Sequence, residues 1–340
     1  MARIAINGFG RIGRAVFRGA LLDPTIDIVA INAATDVSTM VHLIRYDSIY
    51  GSLNLPVEID GDFLHVAGRK IRMFHTRNIS DLPWGELDIE VVIEATGKFR
   101  SKEEASLHIA QGAERVLITA PGKNEDITIV MGVNQKNFDP QAHQVISNAS
   151  CTTNCLAPIV KVLNQTFGIE YGMITTVHSY TNDQNVLDNP HKDLRRARSC
   201  AQSIIPTTTG AAKAVAKVLP EIKGKLTGLA VRVPTPNVSL VDLVINTREI
   251  VSVEAVNQAF RHAAEHELKG ILRVSDEPLV SVDFVGESHS SIIDALSTLV
   301  IEERMVKVLG WYDNEWGYSQ RVIDLARHVV LESKKLASVS

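Results

Sequence analysis

The sequence predicts an α/β protein of two domains. The first is a doubly wound, mostly parallel sheet; the second is an α+β unit whose sheet is mixed and largely antiparallel. Three observations lead there. At 340 residues the chain is long for a single core. Its first part alternates buried strand runs with helical patterns and opens on a strand–glycine–helix–strand unit. Its second half is rich in strands and poor in βαβ units. Residues 1–150 with 316–340 are expected to form the first domain and 151–315 the second.

The opening unit is the most specific. Arg3-Ile4-Ala5-Ile6-Asn7 reads as a buried strand, and Gly8-Phe9-Gly10-Arg11-Ile12-Gly13 follows it at once. Val16, Phe17, Ala20 and Leu21 then mark a helical face, Asp23-Pro24 closes it, and Ile26 to Asn32 is a second strand. Glycines at this spacing allow a tight turn and let a pyrophosphate approach the helix N-terminus, so a Rossmann-type dinucleotide site is predicted at Gly8, Gly10 and Gly13. In an NAD site a carboxylate ends the second strand and accepts from the ribose 2′-OH. Ala33 stands there instead. Asp36 lies three residues on, in the loop, and no arginine replaces the acid nearby in sequence. The position permits NADP without defining a pocket for its 2′-phosphate.

Short strands follow around Val57-Ile59, Leu64-Val66 and Ile71-Phe74, and Arg77 beyond them either borders the cofactor or is solvated. The βαβ rhythm resumes with Ile89 to Ala95, a helix from Glu103 to Gly112 capped by Ser101, and a strand from Arg115 to Thr119. Strand ends of such a sheet face the ligand crevice, which puts Thr96, Gly97 and Thr119 beside the cofactor.

The chemistry is expected around Ser150-Cys151-Thr152-Thr153-Asn154-Cys155. Leu156, Ile159, Val160 and Leu163 recur at helical spacing, so Cys151 falls at or near a helix N-terminus. Unpaired N–H groups there favour a thiolate, and with the Ser150 and Thr152 hydroxyls they suit an oxyanion or a phosphate. Met173 to His178 is an alternating strand that ends in a histidine 27 residues after the cysteine, across a helix and back. That path returns imidazole to thiol, and an imidazolium there would lower the thiol pKa.

Ser179 to Ser203 is a long irregular stretch with Lys192, Arg195, Arg196 and Arg198; phosphate binding and subunit contact suit it better than nucleic acid. Pro206 to Ala212 brings hydroxyls and Gly210 to a helix N-terminus. Arg232 interrupts the apolar strand Gly228 to Pro234, so it needs an anionic partner, either a structural carboxylate or a substrate phosphate. Val238–Asn246, Leu279–Phe284, Ser290–Leu296 and Lys307–Trp311 are expected strands, Val253–His266 and Gln320–Ser333 helices. Asn314 offers an amide to a nicotinamide carboxamide.

Composition sets limits. A net charge of −4 argues against nucleic-acid binding, and three cysteines make no disulfide framework and point to a reducing, cytoplasmic setting. Cys151 and Cys155 lack the partners a zinc site needs. The N-terminus runs straight into a strand, leaving no room for a signal peptide, and no apolar run approaches a membrane span.

Taken together, Asn7 to Arg14, Ser147 to Cys155 and Trp311 to Tyr318 closely resemble the glyceraldehyde-3-phosphate dehydrogenase family, from Arg3 to about Val330. The resemblance implies a homotetramer acting on a small-molecule substrate and inorganic phosphate, with Cys151 as nucleophile and His178 as base. It implies Thr181 and Arg232 for the substrate phosphate, and Ser150, Thr152, Arg196, Thr209 and Gly210 for inorganic phosphate. Arg11, Ile12, Arg77, Thr119 and Asn314 would line the cofactor. NAD-specific members carry aspartate where Ala33 stands and leucine where Asn189 precedes Pro190, so this chain resembles the branch that prefers NADP or accepts either cofactor. Erythrose-4-phosphate dehydrogenases resemble it less, and a nucleotide-binding scaffold without turnover would not need the Cys151–His178 pair.

Overall fold

The computed structural model describes residues 1–338, and the chain divides into two compact units, Met1–Ser150 with Ser319–Ser340, and Cys151–Tyr318. The first is built on β1 (Ala2–Asn7), α1 (Arg11–Ala20), β2 (Ile26–Asn32), α2 (Val37–Arg45), β3 (Val57–Asp60), β4 (Phe63–Val66), β5 (Arg69–Phe74), β6 (Val91–Glu94), α3 (Lys102–Ala110), β7 (Arg115–Ile118), β8 (Ile127–Thr128) and β9 (Val145–Ser147). Their strands form one nine-stranded sheet in the order β3-β4-β5-β2-β1-β6-β7-β9-β8. Chain order reverses beside β1, the topological switch point at which ligands bind such sheets.

Local chemistry accounts for these elements. Ile4, Ala5 and Ile6 of β1 are buried, as a central parallel strand requires, and Ala15, Val16, Phe17 and Ala20 form the buried stripe of α1. The hairpin β3–β4–β5 enters the sheet because β5 pairs parallel with β2. Asp36 proves to be the N-cap of α2, accepting from the Thr39 N–H at 2.9 Å. That helix was not anticipated. Its inward stripe is only Met40 and Ile44, too short a period to read. Ser101 and Glu104 close a capping box on α3. Ala30, Leu82, Trp84, Val92, Ala105 and Val116 share one core cluster.

The second unit contains α4 (Cys151–Phe167), β10 (Ile169–Ser179), β11 (Ile205–Thr208), α5 (Ala211–Val218), β12 (Leu226–Val233), β13 (Ser239–Thr247), α6 (Val253–Glu265), β14 (Leu272–Ser275), β15 (Ser291–Asp294), β16 (Leu299–Ile301) and β17 (Met305–Tyr312). Its sheet runs β11-β12-β10-β13-β17-β15-β14, with β16 on β17; β10–β12 and β14–β15 are parallel and the rest antiparallel. Leu156, Ile159, Val160 and Leu163 of α4 are fully buried and pack the helix on β13, β15 and β17. The strand expected over Leu279–Phe284 is instead a 3₁₀ turn, Ser281–Phe284. Val280 and Val282 are exposed, and the Asp283 carboxylate accepts from the Val280 N–H at 2.8 Å, so alternation there marks a closed turn rather than a pleat.

The last helix, α7 (Trp316–Ala337), begins at the end of the second unit and returns the chain to the first. Within that unit Arg327 donates to Thr25 and pairs with Asp23, and His328 reaches the Gln135 carbonyl at 2.9 Å.

Candidate active site

The second unit brings four of the expected residues together. Cys151 occupies the first position of α4, and His178 lies one residue before the end of β10. Cys151 Sγ is 3.5 Å from His178 Nε2. The backbone before the cysteine is unusual: Ala149 has φ of 56° in the left-handed region, a conformation that costs a non-glycine residue energy and that clusters at functional sites. Arg232, paired opposite His178 across the parallel strands, donates from Nη1 to the Ser179 carbonyl at 2.9 Å and to Thr181 Oγ1 at 3.2 Å.

The histidine tautomer follows from its partners. His178 Nδ1 lies 2.7 Å from the Ser179 carbonyl, which only an N–H can approach so closely. Nε2 is therefore the lone-pair nitrogen and accepts from the thiol. Burial and the neighbouring Arg232 guanidinium push the imidazole down to about 3, so at neutral pH it is uncharged. Burial also pushes the Cys151 thiol up, opposed by Arg232 and by hydrogen bonds from Thr152. Burial thus opposes the thiolate–imidazolium pairing that the sequence suggests, while Arg232 and the Thr152 hydrogen bonds favour the thiolate.

A second cationic group adjoins the first. Arg196, in the irregular stretch between β10 and β11, donates from Nε to Thr207 Oγ1 at 3.1 Å and from Nη2 to the Thr208 carbonyl at 3.2 Å, and it pairs with Asp183. Burial resists the charge of Asp183, but Arg196 holds its carboxyl below the usual range. Thr209 and Gly210 follow directly; Thr209 Oγ1 accepts from the Ala211 N–H, and Gly210 caps α5. Thr152 is buried and bonded to Tyr312, while Ser150 is half-buried just before the helix. Asn314 Oδ1 accepts from the hydroxyls of Ser179 and Ser239, at 2.9 and 2.8 Å, which leaves the amide N–H groups for a ligand carbonyl.

In the first unit the glycine turn fits a dinucleotide. Gly8 has φ of 97°, and a Cβ on it would lie 2.5 Å from the Thr96 nitrogen; one on Gly13 would lie 2.1 Å from the Gly8 carbonyl oxygen. Gly10 is different: among the described residues no heavy atom lies within 4 Å of its Cβ position, and no side chain caps α1 there. A helix N-terminus without a side-chain cap is the arrangement that suits an anion. Nearby, Arg11 pairs with Asp47 at 2.5 Å, Ile12 is half-buried, and Thr119 Oγ1 donates to the Glu94 carbonyl at 3.1 Å.

A cavity of about 220 Å³ in this unit is lined by Asn7, Asn32, Ala34, Arg77, Thr96 and Lys98, among others. Ala33 is buried between two lining residues. Sequence spacing shows no cation near the missing acid, yet the fold brings Arg77 and Lys98 to this cavity. Beneath it is a buried polar group that sequence reading missed. Glu94 accepts from Asn7 Nδ2 at 2.6 Å, from His108 Nε2 at 3.1 Å and from the Thr96 N–H at 2.8 Å, and Trp84 Nε1 donates to His108 Nδ1 at 2.9 Å. A carboxylate ending an otherwise apolar strand was its one visible signal. Tyr312, Ser179, Ser239 and Asp183 also escaped notice, since neither their spacing nor their type marks them.

Among the described residues no His, Cys, Asp or Glu group is arranged to hold a metal, and no helix is long and apolar enough to cross a membrane.

A dinucleotide-binding unit combined with a unit of this kind defines an NAD(P)-dependent aldehyde dehydrogenase. Residues 2–102 match the family model described as glyceraldehyde 3-phosphate dehydrogenase, NAD binding domain, and residues 150–314 that of the C-terminal domain. Glyceraldehyde-3-phosphate dehydrogenase 2 of Bacillus subtilis (strain 168) is 60% identical over 99% of this chain and 99% of its own length. The enzyme of Geobacillus stearothermophilus is 62% identical over 96% and 98%, and enzyme 2 of Nostoc sp. 57% over 97% and 98%. The chain belongs to the glyceraldehyde 3-phosphate dehydrogenase family. Its activity is the phosphorylating oxidation of D-glyceraldehyde 3-phosphate with a nicotinamide cofactor.

Proposed function

We propose that Cys151 is the nucleophile of this reaction and His178 its general base and acid. The observation that carries the reading is the 3.5 Å contact between Cys151 Sγ and the lone-pair nitrogen of His178, with Arg232 beside it. A neutral imidazole is the form a base requires. As sulfur adds to the aldehyde carbon, the thiol proton passes to Nε2 and on to the aldehyde oxygen, giving a thiohemiacetal. His178 then holds the hydroxyl proton as the carbon is oxidised to a thioester. The bound nicotinamide supplies the two-electron acceptor for that step. Phosphate attacks the thioester, and His178 returns a proton to the departing sulfur, giving 1,3-bisphosphoglycerate. The Ser179 carbonyl on Nδ1–H stabilises the transient imidazolium and keeps the ring oriented.

Arg232 with Thr181 is assigned to the substrate phosphate, and a buried Nε without a partner among the described residues supports it. Arg196, Thr209, Gly210, Ser150 and Thr152 are assigned to inorganic phosphate. Gly8, Gly10 and Gly13 are assigned to the pyrophosphate, Arg11, Ile12 and Thr119 to the rest of the cofactor, and Asn314 to its carboxamide. NADP, alone or alongside NAD, is the proposed cofactor. The missing acid at Ala33 and the cations Arg77 and Lys98 on the adjoining cavity support it.

The assembly is a homotetramer in this reading. Tyr171 and Met173 of β10 and Leu229 of β12 expose apolar side chains on one face of paired strands, which suits self-association. Three free cysteines suit a reducing cytoplasm. The test crosses Cys151→Ser and wild type with NAD and NADP, with and without phosphate. Cys151→Ser is expected to lose oxidation while still binding cofactor; a serine enzyme retaining a tenth of wild-type turnover would sink the nucleophile assignment.

A further inference from the structure

We propose that Glu94 is a positioning residue for the cofactor: its buried carboxylate directs a chain of side-chain hydrogen bonds, through Asn7 and Asn32 to Thr76, that fixes the strand ends around the dinucleotide crevice. The proposal rests on the reading that the cavity of the first unit takes the cofactor.

The chain crosses the sheet where its order reverses. Asn7, Asn32 and Glu94 are the last residues of β1, β2 and β6. Asn7 stands opposite Asn32 on one side and Glu94 on the other, so the three side chains share one face of the sheet. Asn7, Asn32, Thr76 and Thr96 line the cavity of about 220 Å³. The bond from Asn7 to Glu94 spans β1 and β6, the switch point at which a dinucleotide enters such sheets.

The carboxylate sets the direction of each bond. An indole N–H only donates, so His108 Nδ1, 2.9 Å from Trp84 Nε1, is the lone-pair nitrogen and Nε2 carries the proton. His108 Nε2 at 3.1 Å, Asn7 Nδ2 at 2.6 Å, the Thr96 N–H at 2.8 Å and the Thr96 hydroxyl therefore all donate to Glu94, which accepts only. Asn7 then turns Oδ1 to Asn32 Nδ2 at 2.7 Å. The far end requires the same orientation. Asn32 Oδ1 accepts from the Thr76 N–H at 3.1 Å, and Asn32 Nδ2 donates to the Thr76 carbonyl at 3.0 Å. Neither amide can turn over alone without setting donor against donor.

Stability does not account for this carboxylate. Glu94 is 2% exposed and follows the buried Val91, Val92 and Ile93, with only a neutral imidazole beside it. A packed apolar side chain of similar volume would cost the fold less than a buried charge without a counter-charge. What the charge supplies is placement. The Thr96 nitrogen it holds is the atom 2.5 Å from the Cβ position of Gly8, so Glu94 also fixes the strand end on which the glycine turn packs.

Glu94→Gln keeps the shape and breaks the logic: its single oxygen can serve Thr96 or Asn7, and its amide opposes the other with a donor. Leu117→Ala, a fully buried residue of β7, lowers stability from the same sheet without touching the chain. The readouts on the full-length protein are calorimetric Kd for NAD and for NADP, kcat at saturating cofactor, the urea midpoint, and amide exchange at Thr76 and Thr96. Glu94→Gln is expected to raise both Kd values by the same factor, roughly ten- to a hundredfold, the worth of one buried donor left unmet. At saturation kcat should stay within about twofold, and exchange should quicken at Thr76, the far end of the chain. Leu117→Ala should lose stability while its Kd values stay within about twofold of wild type. Glu94→Asp keeps the charge but ends one methylene short of Asn7; it should weaken both cofactors in the same way, and it serves if the glutamine variant does not fold. Wild-type Kd in a folded Glu94 variant, or equal weakening in Leu117→Ala, would overturn the proposal. An NADP/NAD ratio of Kd left unmoved by Ala33→Asp would instead overturn the placement of the cofactor in this cavity.

Discussion

Replacing Arg232 with glutamine separates two duties that one guanidinium performs. Nη1 already serves the Ser179 carbonyl and Thr181, while Nε is buried without a partner among the described residues. A phosphate seated there would take a charge-assisted bond from Nε and a second from the fork. At roughly 1.5–3 kcal/mol each, and with water replacing part of what is lost, their removal amounts to about 3–4 kcal/mol, or on the order of 10²–10³-fold in kcat/KM. The second duty is electrostatic. Arg232 Nη1 is 3.2 Å from His178 Nδ1. Unit charges about 4 Å apart at an effective dielectric of about 20 interact by about 4 kcal/mol. Water entering the truncated site reduces that to about 1–2 kcal/mol, so the imidazole becomes more basic by roughly one pH unit. D-Glyceraldehyde, which lacks the phosphate, separates the two. Arg232→Gln should cost the phosphorylated substrate on the order of 10²–10³-fold in kcat/KM and the plain aldehyde less than about tenfold. Equal losses on both would show that Arg232 organises the catalytic pair rather than the substrate phosphate.

His178→Asn should slow hydride transfer by roughly 10²–10⁴-fold in single-turnover measurements. It should also change acid stability. The imidazole titrates at about 3 in the fold against 6.5 ordinarily, so between those values the unfolded chain binds more protons and stability falls as pH drops. This contributes up to about 1.4 kcal/mol per pH unit below about 6.5, and urea unfolding at pH 7 and 5 should show a shallower loss in the variant. Ala33→Asp should shift the NADP/NAD ratio of kcat/KM roughly ten- to a hundredfold towards NAD, about 1–3 kcal/mol after screening; an unmoved ratio would mean that this residue does not face the ribose. Glu94→Gln replaces an acceptor of several buried donors with an amide, and should destabilise the first unit by about 3–5 kcal/mol in denaturant. A midpoint equal to wild type would show that water substitutes for the carboxylate.

Where the physics is local, the sequence was readable. The strand Ile26–Asn32 has the bounds its apolar run suggests, Cys151 begins a helix as the spacing after it requires, and the glycines after Asn7 form the expected turn. The Cys151–His178 contact was legible because a helix followed by an adjacent strand returns the chain to its start. The support of the site was not. Thr152 and Thr176 reach Tyr312 across 160 and 136 positions, and Asn7 reaches Glu94 across 87, so no window of sequence contains both ends. The electrostatics of the pair were hidden for a related reason: a thiol and an imidazole side by side suggest an ion pair, and only the fold shows that both are buried with Arg232 beside them.

The return of the chain to its first unit has a consequence for synthesis. The segment that begins at Ser319 completes a unit whose other part ends at Ser150, so residues 151–318 must leave the ribosome in between. At about 5–20 residues per second that interval is on the order of 10–30 s. Throughout it the groove that will receive Val322, Leu325, Ala326 and Val329 lacks its apolar cover, while Asp23 and Thr25 wait for Arg327. The nascent nucleotide-binding unit therefore waits incomplete through about half of translation, and a stop codon anywhere before α7 would yield a chain whose earliest residues, although fully made, still lack their final helix.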